Sequence, residues 1–200
     1  MRSLLALVAG LGWTLAPAQE THKVDGEGFI RNWLVLAPIP IEEGSAAQEV
    51  DKQQIKDEGK IRPKAGDKVK AGGKDLVWTA HKPVDYFIDF RESFGKENPE
   101  DVVGYAVAYV WADEEMAGIK LKVGSNDQCK AYVNGKEVIK FDETRTLEKD
   151  QNEATVTLQK GENLLVFKVI NEKNNWQGCA RFTDKTGTAI KTLKIALAPQ

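Results

Sequence analysis

The chain has 200 residues, with 28 Lys and Arg against 30 Asp and Glu, a formal charge of −2, and two residues each of His and Cys. That balance argues against nucleic acid, whose phosphate backbone favours a clear basic excess or stripe. The length suits one domain with a sizeable core.

The first residues read MRSLLALVAGLGWTLAPAQE. A single positive charge at Arg2, an apolar run over residues 4–15, and small residues at Ala16 and Ala18 make the three-part pattern of a secretory signal peptide cleaved after Ala18. The run is too short to span a bilayer and is interrupted by Gly10 and Gly12. A secreted or periplasmic location follows, with residues 19–200 as a single domain and no stable membrane span in the mature chain.

In GFIRNWLVLAPIPIEEG an apolar strand from Trp33 to Ala37 is stopped by Pro38 and Pro40. AAQEVDKQQIKDEG predicts one short helix over residues 48–57, ended by Gly59. The next stretch, KIRPKAGDKVKAGGK, holds the local basic bias; its Gly and Pro read as a solvated loop, with a polyanion site as the alternative. VDYFIDF supplies a strand near residues 86–90, and VVGYAVAYVWA has the branched and aromatic content of a buried strand.

From there the alternation is clean. IKLKVG sets Ile119, Leu121 and Val123 opposite Lys120 and Lys122, and CKAYV sets Cys129, Ala131 and Val133 on one face, which leaves Tyr132 on the other and expected exposed. Asn134-Gly135 tolerates the positive backbone angles of a type I′ hairpin, and KEVIKF returns. ATVTLQKGENLLVFKVIN reads strand, turn at Gly161, strand; GCARFTDKTGTAIKTLKI reads as a hairpin through Thr186-Gly187. Short strands at regular spacing predict an all-β, antiparallel sandwich of roughly eight to ten strands, without repeats or linkers.

Several segments resemble a family in sequence and order. GFIRNWLVLAPIP, AYVW, LKVGSNDQCKAYVNGKEV, LQKGENLLVFKVIN and NNWQGCARFTDKTGTAI are similar to the motifs of galactose-binding-like jelly rolls, as in the sugar-binding domain of β-galactosidase-type glycoside hydrolases. The resemblance covers about residues 29–195. Asn126 and Gln128 stand where that family often has Asp and Gly, and Tyr132 where it often has Trp. A protective-antigen-type lectin module shares the acidic loop and the Asn-Gly hairpin and is the alternative. The resemblance implies a jelly-roll fold and a non-catalytic carbohydrate-binding module with a polysaccharide or glycan as partner. A structural or protein-interaction domain of the cell envelope is the competing reading, because one fold hosts many functions. No cofactor is implied beyond a structural calcium, common in the class, with oxygens from Asp89, Asp127 or Asp142.

The candidate ligand site gathers Trp176, Asn126, Asp127, Gln128 and Asn175. An exposed indole would stack on the apolar face of a sugar, and the amides and carboxylate would read its hydroxyls. Against this, Asn and Asp in turns commonly bond their own backbone, and a loop Trp can close the end of a core. Catalysis has little to build on. The mature chain holds His22 and His81 alone, without a nucleophile elbow or a metal-ligand spacing, and carboxylate clusters such as Asp113, Glu114 and Glu115 are ordinary surface features. A glycoside hydrolase would need two carboxylates across a cleft. Cys129 and Cys179 are disulfide candidates: export favours a bridge, whereas strand parity puts Cys179 with Arg181 and turns the two thiols apart.

Overall fold

The computed structural model describes residues 20–95 and 99–200; the signal-like segment, residues 1–18, lies outside them. Among the described residues the elements are β1 (His22–Lys23), β2 (Trp33–Pro40), the helix α1 (Ala46–Glu49), β3 (Lys68–Ala71), β4 (Lys74–Val77) and β5 (Thr79–His81). There follow β6 (Ile88–Asp89), β7 (Val102–Ala112), β8 (Met116–Asn126), β9 (Cys129–Val133) and β10 (Lys136–Phe141). The last four are β11 (Asn152–Leu158), β12 (Gly161–Asn171), β13 (Gln177–Thr183) and β14 (Lys194–Ala196). Eight strands have five or more residues, and the rest are pieces of two to four, which accounts for the count exceeding the eight to ten expected.

A large sheet runs β1-β14-β7-β12-β9-β10, with β2 also pairing β7, and β5 pairing β2. A four-stranded sheet, β11-β8-β13-β6, packs across it. All pairings are antiparallel. The fold is an all-β sandwich, as the alternation requires. Between the sheets lie Ala106, Ala108 and Val110 of β7, Cys129, Ala131 and Val133 of β9, and Leu121, Val123, Ala180 and Phe182 of the smaller sheet.

The other face of the large sheet is buried as well. Val103, Tyr105, Val107 and Tyr109 of β7 pack with Leu34, Leu36, Val166 and Ile170 under Ala46, Val50, Ala71 and Trp78. Residues 41–78, with α1 and the β3–β4 hairpin, thus form a third layer. The uninterrupted apolar run of β7 has this cause, since a strand covered on both faces has no polar side to show.

Three expectations change. Pro38 does not stop β2, which runs on to end at Pro40; a register shift between Leu36 and Ile39 takes up Pro38, as a ring without an amide donor requires. The helix spans Ala46–Glu49 instead of residues 48–57. Its continuation would need the carbonyls of Glu49, Val50 and Lys52, and these accept instead from Lys168 Nζ at 2.7, 3.3 and 2.6 Å. Tyr132 is buried, with its hydroxyl donating to Glu58 Oε1 at 2.6 Å.

Lys168 and Glu58 are 0% and 1% exposed. Glu58 accepts from both Tyr105 and Tyr132 and lies 3.4 Å from the ammonium. Burial, resisted by Glu58, pushes the Lys168 ammonium below the ordinary lysine value, and burial pushes both phenols up. Removing the carboxylate leaves a buried charge and two hydroxyls without an acceptor. Glu58→Ala is therefore expected to cost about 3–5 kcal/mol in urea unfolding of the full chain. A loss under about 1 kcal/mol would deny the network its role.

The disulfide expected as one of two readings is absent: Cys129 and Cys179 are both free and buried. Cys129 points into the space between the sheets, whereas Cys179 alternates with Ala180 and Phe182, which occupy that space, and so lies on the outer face of the small sheet. Parity decides the geometry. Burial pushes the Cys179 thiol up to about 12, against the pull of the Gly124 amide, and raises Cys129 as well. Titration of the unreduced, denatured chain should find two thiols, while the native chain reacts slowly, because burial withholds the thiolate. Zero thiols would overturn this arrangement.

Candidate functional site

Three connections cross between the sheets at the same end of the sandwich. Asp127 and Gln128 join β8 to β9, residues 142–151 join β10 to β11, and residues 172–176 join β12 to β13. Register puts them together: Phe141 faces Cys129, Cys129 faces Val169, and Gln177 faces Asn126. Main-chain contacts then fix them. Asp127 N donates to Ile170 O at 3.0 Å, and Ile170 N to Gln128 O at 2.9 Å.

The Asp127 carboxylate ties all three connections. Its Oδ1 accepts from Arg145 N at 3.2 Å and its Oδ2 from Glu172 N at 3.1 Å. Burial raises its pKa and those amides oppose the rise. Beneath the 142–151 segment, Gly124 permits an approach that nothing larger allows, since a Cβ there would stand 1.9 Å from Glu148 O.

These connections enclose an open cleft of about 820 Å³ that takes in Asn126, Asp127 and Asn175, a size suited to a small ligand. The Asn126-Asp127 peptide bond is cis. Asn126 is 6% exposed and its Oδ1 has no hydrogen-bond partner among the described residues. A buried amide oxygen left unpaired is costly, so a donor brought to it would be favoured. Asn174 and Asn175, both exposed, also line it.

Two of the expected readers do other work. Gln128 is buried outside the cleft lining, and its Nε2 donates to Glu172 Oε1. Trp176 is fully buried and is no stacking platform. Its ring stacks on Phe90 with centroids 5.0 Å apart, both lie against Gly104, and Nε1 donates to Val169 O at 3.2 Å. The polar neighbours Asn174, Asn175 and Gln177 suggested exposure, but β12 returns into β13 so tightly that the intervening indole turns inward.

Sequence reasoning missed Arg145, which lines the cleft. Its guanidinium lies 3.7 Å from the centre of the Phe141 ring and donates to Ser125 Oγ at 2.8 Å and to Cys129 Sγ at 3.7 Å. ETRTLEKD gave no signal for this; the side chain arrives because β10 ends opposite Cys129. Arg91 also lines the cleft but is held by Asp89 through Nε at 2.8 Å and through Nη2.

The three aspartates to which the family resemblance assigned a structural calcium already have protein partners. Asp89 is committed to Arg91, Asp127 to two amides, and Asp142 lies 3.6 Å from Lys140 Nζ. Among the described residues no group of three or more His, Cys, Asp or Glu is placed to hold a metal.

Comparison by sequence finds no matching family model and no matching curated protein. Among solved structures, the chain is similar to a PA14 sugar-binding domain from an RTX adhesin, at 12% identity and a TM-score of 0.43, over 85% of this chain and all of that one. It is similar also to the PA14 domain of an antifreeze protein, at 12% identity and 0.38, over 93% of this chain and 98% of that one. A third likeness, to a GH31 α-xylosidase from Xanthomonas citri, has 11% identity and a TM-score of 0.36 and spans 20% of that enzyme.

Trp176→Ala should therefore act on stability, with a loss of about 3–5 kcal/mol for a buried aromatic. Denaturant unfolding measures it. A variant of unchanged stability would contradict the buried stack.

Proposed function

We propose that the protein is an exported, non-catalytic carbohydrate-binding module and that the cleft between the inter-sheet connections is its binding site. The observation that carries the reading is Asn126 Oδ1, buried and unpartnered in a cleft whose polar lining includes Asp127, Asn174, Asn175 and the hydroxyls of Thr144 and Thr146. Sugar hydroxyls need paired donors and acceptors, and these groups supply both. Binding is favoured over cleavage because the cleft carboxylates are engaged: Asp127 holds two amides, and Glu172 holds Gln128.

Export rests on the signal-like pattern of residues 1–18. Among the described residues no helix is long and apolar enough to cross a membrane.

A glycan array followed by calorimetric titration of the mature chain tests the reading. Binding is expected in the micromolar to millimolar range, about −4 to −8 kcal/mol. Asn126→Ala should weaken it about tenfold, or roughly 1.4 kcal/mol. A chain that binds no glycan, or an Asn126→Ala variant with undiminished affinity, would overturn it.

A further inference from the structure

The cleft carries charge of both signs. Its lining carries acceptors, Asn126 Oδ1 and the Asp127 carboxylate, and beside them two cations, Arg145 and Lys173. Arg145 is half-buried, and burial, its largest influence, pulls its pKa below the ordinary arginine value. A guanidinium taken out of water is normally matched by a carboxylate.

Arg145 has no such match. Its side-chain acceptors are the Ser125 hydroxyl and the Cys129 sulfur, both neutral groups, and they engage only Nε and Nη2. Nη1 has no protein acceptor among the described residues. The contrast with the other arginines is informative: Arg31, Arg62, Arg91 and Arg181 each pair with a carboxylate. Lys173 is exposed on the same cleft and enters no ion pair among the described residues. The carboxylates nearby form no ion pair with either cation: Asp127 bonds the Arg145 amide rather than its guanidinium, and Glu172 accepts from Gln128.

We infer that the cleft selects an acidic sugar, whose carboxylate pairs with the free Nη1 edge of Arg145 and with Lys173 while its hydroxyls face Asn126 and Asp127. The inference rests on the carbohydrate reading above and narrows it to one ligand class. Charge assists the first contact, since a hydrogen bond between ionised partners is the stronger kind. The same charges turn the ligand: a carboxylate presented to Asp127 would be repelled, so one orientation is favoured.

The experiment is a calorimetric titration of the mature chain with oligogalacturonate and with the same oligomer methyl-esterified, each at low and high salt. The free acid should bind about tenfold more tightly than the ester, and the margin should shrink with salt. Arg145→Met should abolish the margin while leaving weak binding of the ester. Equal affinity for acid and ester would overturn the inference and leave the carbohydrate reading intact. Failure to bind either oligomer, with neutral glycans bound on the array, would do the same; an array with no glycan bound would overturn both. Should Arg145→Met not fold, Lys173→Gln decides, because its side chain is exposed and carries no structural contact. It is expected to reduce the margin about threefold at low salt, and an unchanged margin counts against the inference.

Discussion

The architecture depends on a buried ammonium. Lys168 sits on β12 between β7 and β9, opposite Tyr105 and Lys130, where a strand flanked on both sides offers a charge no route to water. Its protons are taken by three carbonyls of the segment that follows α1, and its charge by Glu58, which also receives two tyrosine hydroxyls. Every partner but the tyrosines belongs to the third layer. The interaction that solvates Lys168 is therefore one that pins residues 41–78 over the second face of the large sheet. A buried pair adds little net stability over an apolar replacement, yet removing one partner alone is costly.

The asparagine pair at the hairpins makes a similar point with neutral groups. Asn134 takes φ 51° and Gly135 φ 81°, as the turn demands. Asn134 also bonds Asn163 Oδ1 through Nδ2 at 2.8 Å and receives Leu164 N at 2.8 Å, while Asn163 Nδ2 reaches Gln159 O at 2.8 Å. Two turns distant in sequence hold each other. The motif residues Asn134, Asn163 and Lys168 thus serve the scaffold, which is why an ordered set of such motifs speaks to fold more than to ligand.

What was legible follows from range. Period-two alternation in β8, β9 and β11 is a local property, so those strands and the hairpin at Asn134-Gly135 could be read directly. Parity likewise set Cys129 and Cys179 apart. The third layer was not legible, because the carbonyls that end α1 answer to a lysine more than a hundred residues away. Trp176 misled for a related reason: its flanks are polar and exposed, but its own ring is governed by Phe90 and Gly104. Asn126, Asp127 and Asn175, named from residue type, line one cleft. Arg145 was not named, since only the pairing of β10 with β9 brings it to the cleft.

The Gly124 contact bears on how such a cleft changes over generations. Glu148 rests on Gly124 backbone to backbone, and Asp127 fixes its neighbours through amide groups that every residue except proline possesses. The walls are thus held by groups indifferent to the side chains they carry. Positions such as Thr144, Thr146, Lys173 and Asn175 are open to substitution without moving the walls, so ligand preference can drift among descendants of this chain while the frame stays constant. Divergence in binding need not pass through a loss of folding.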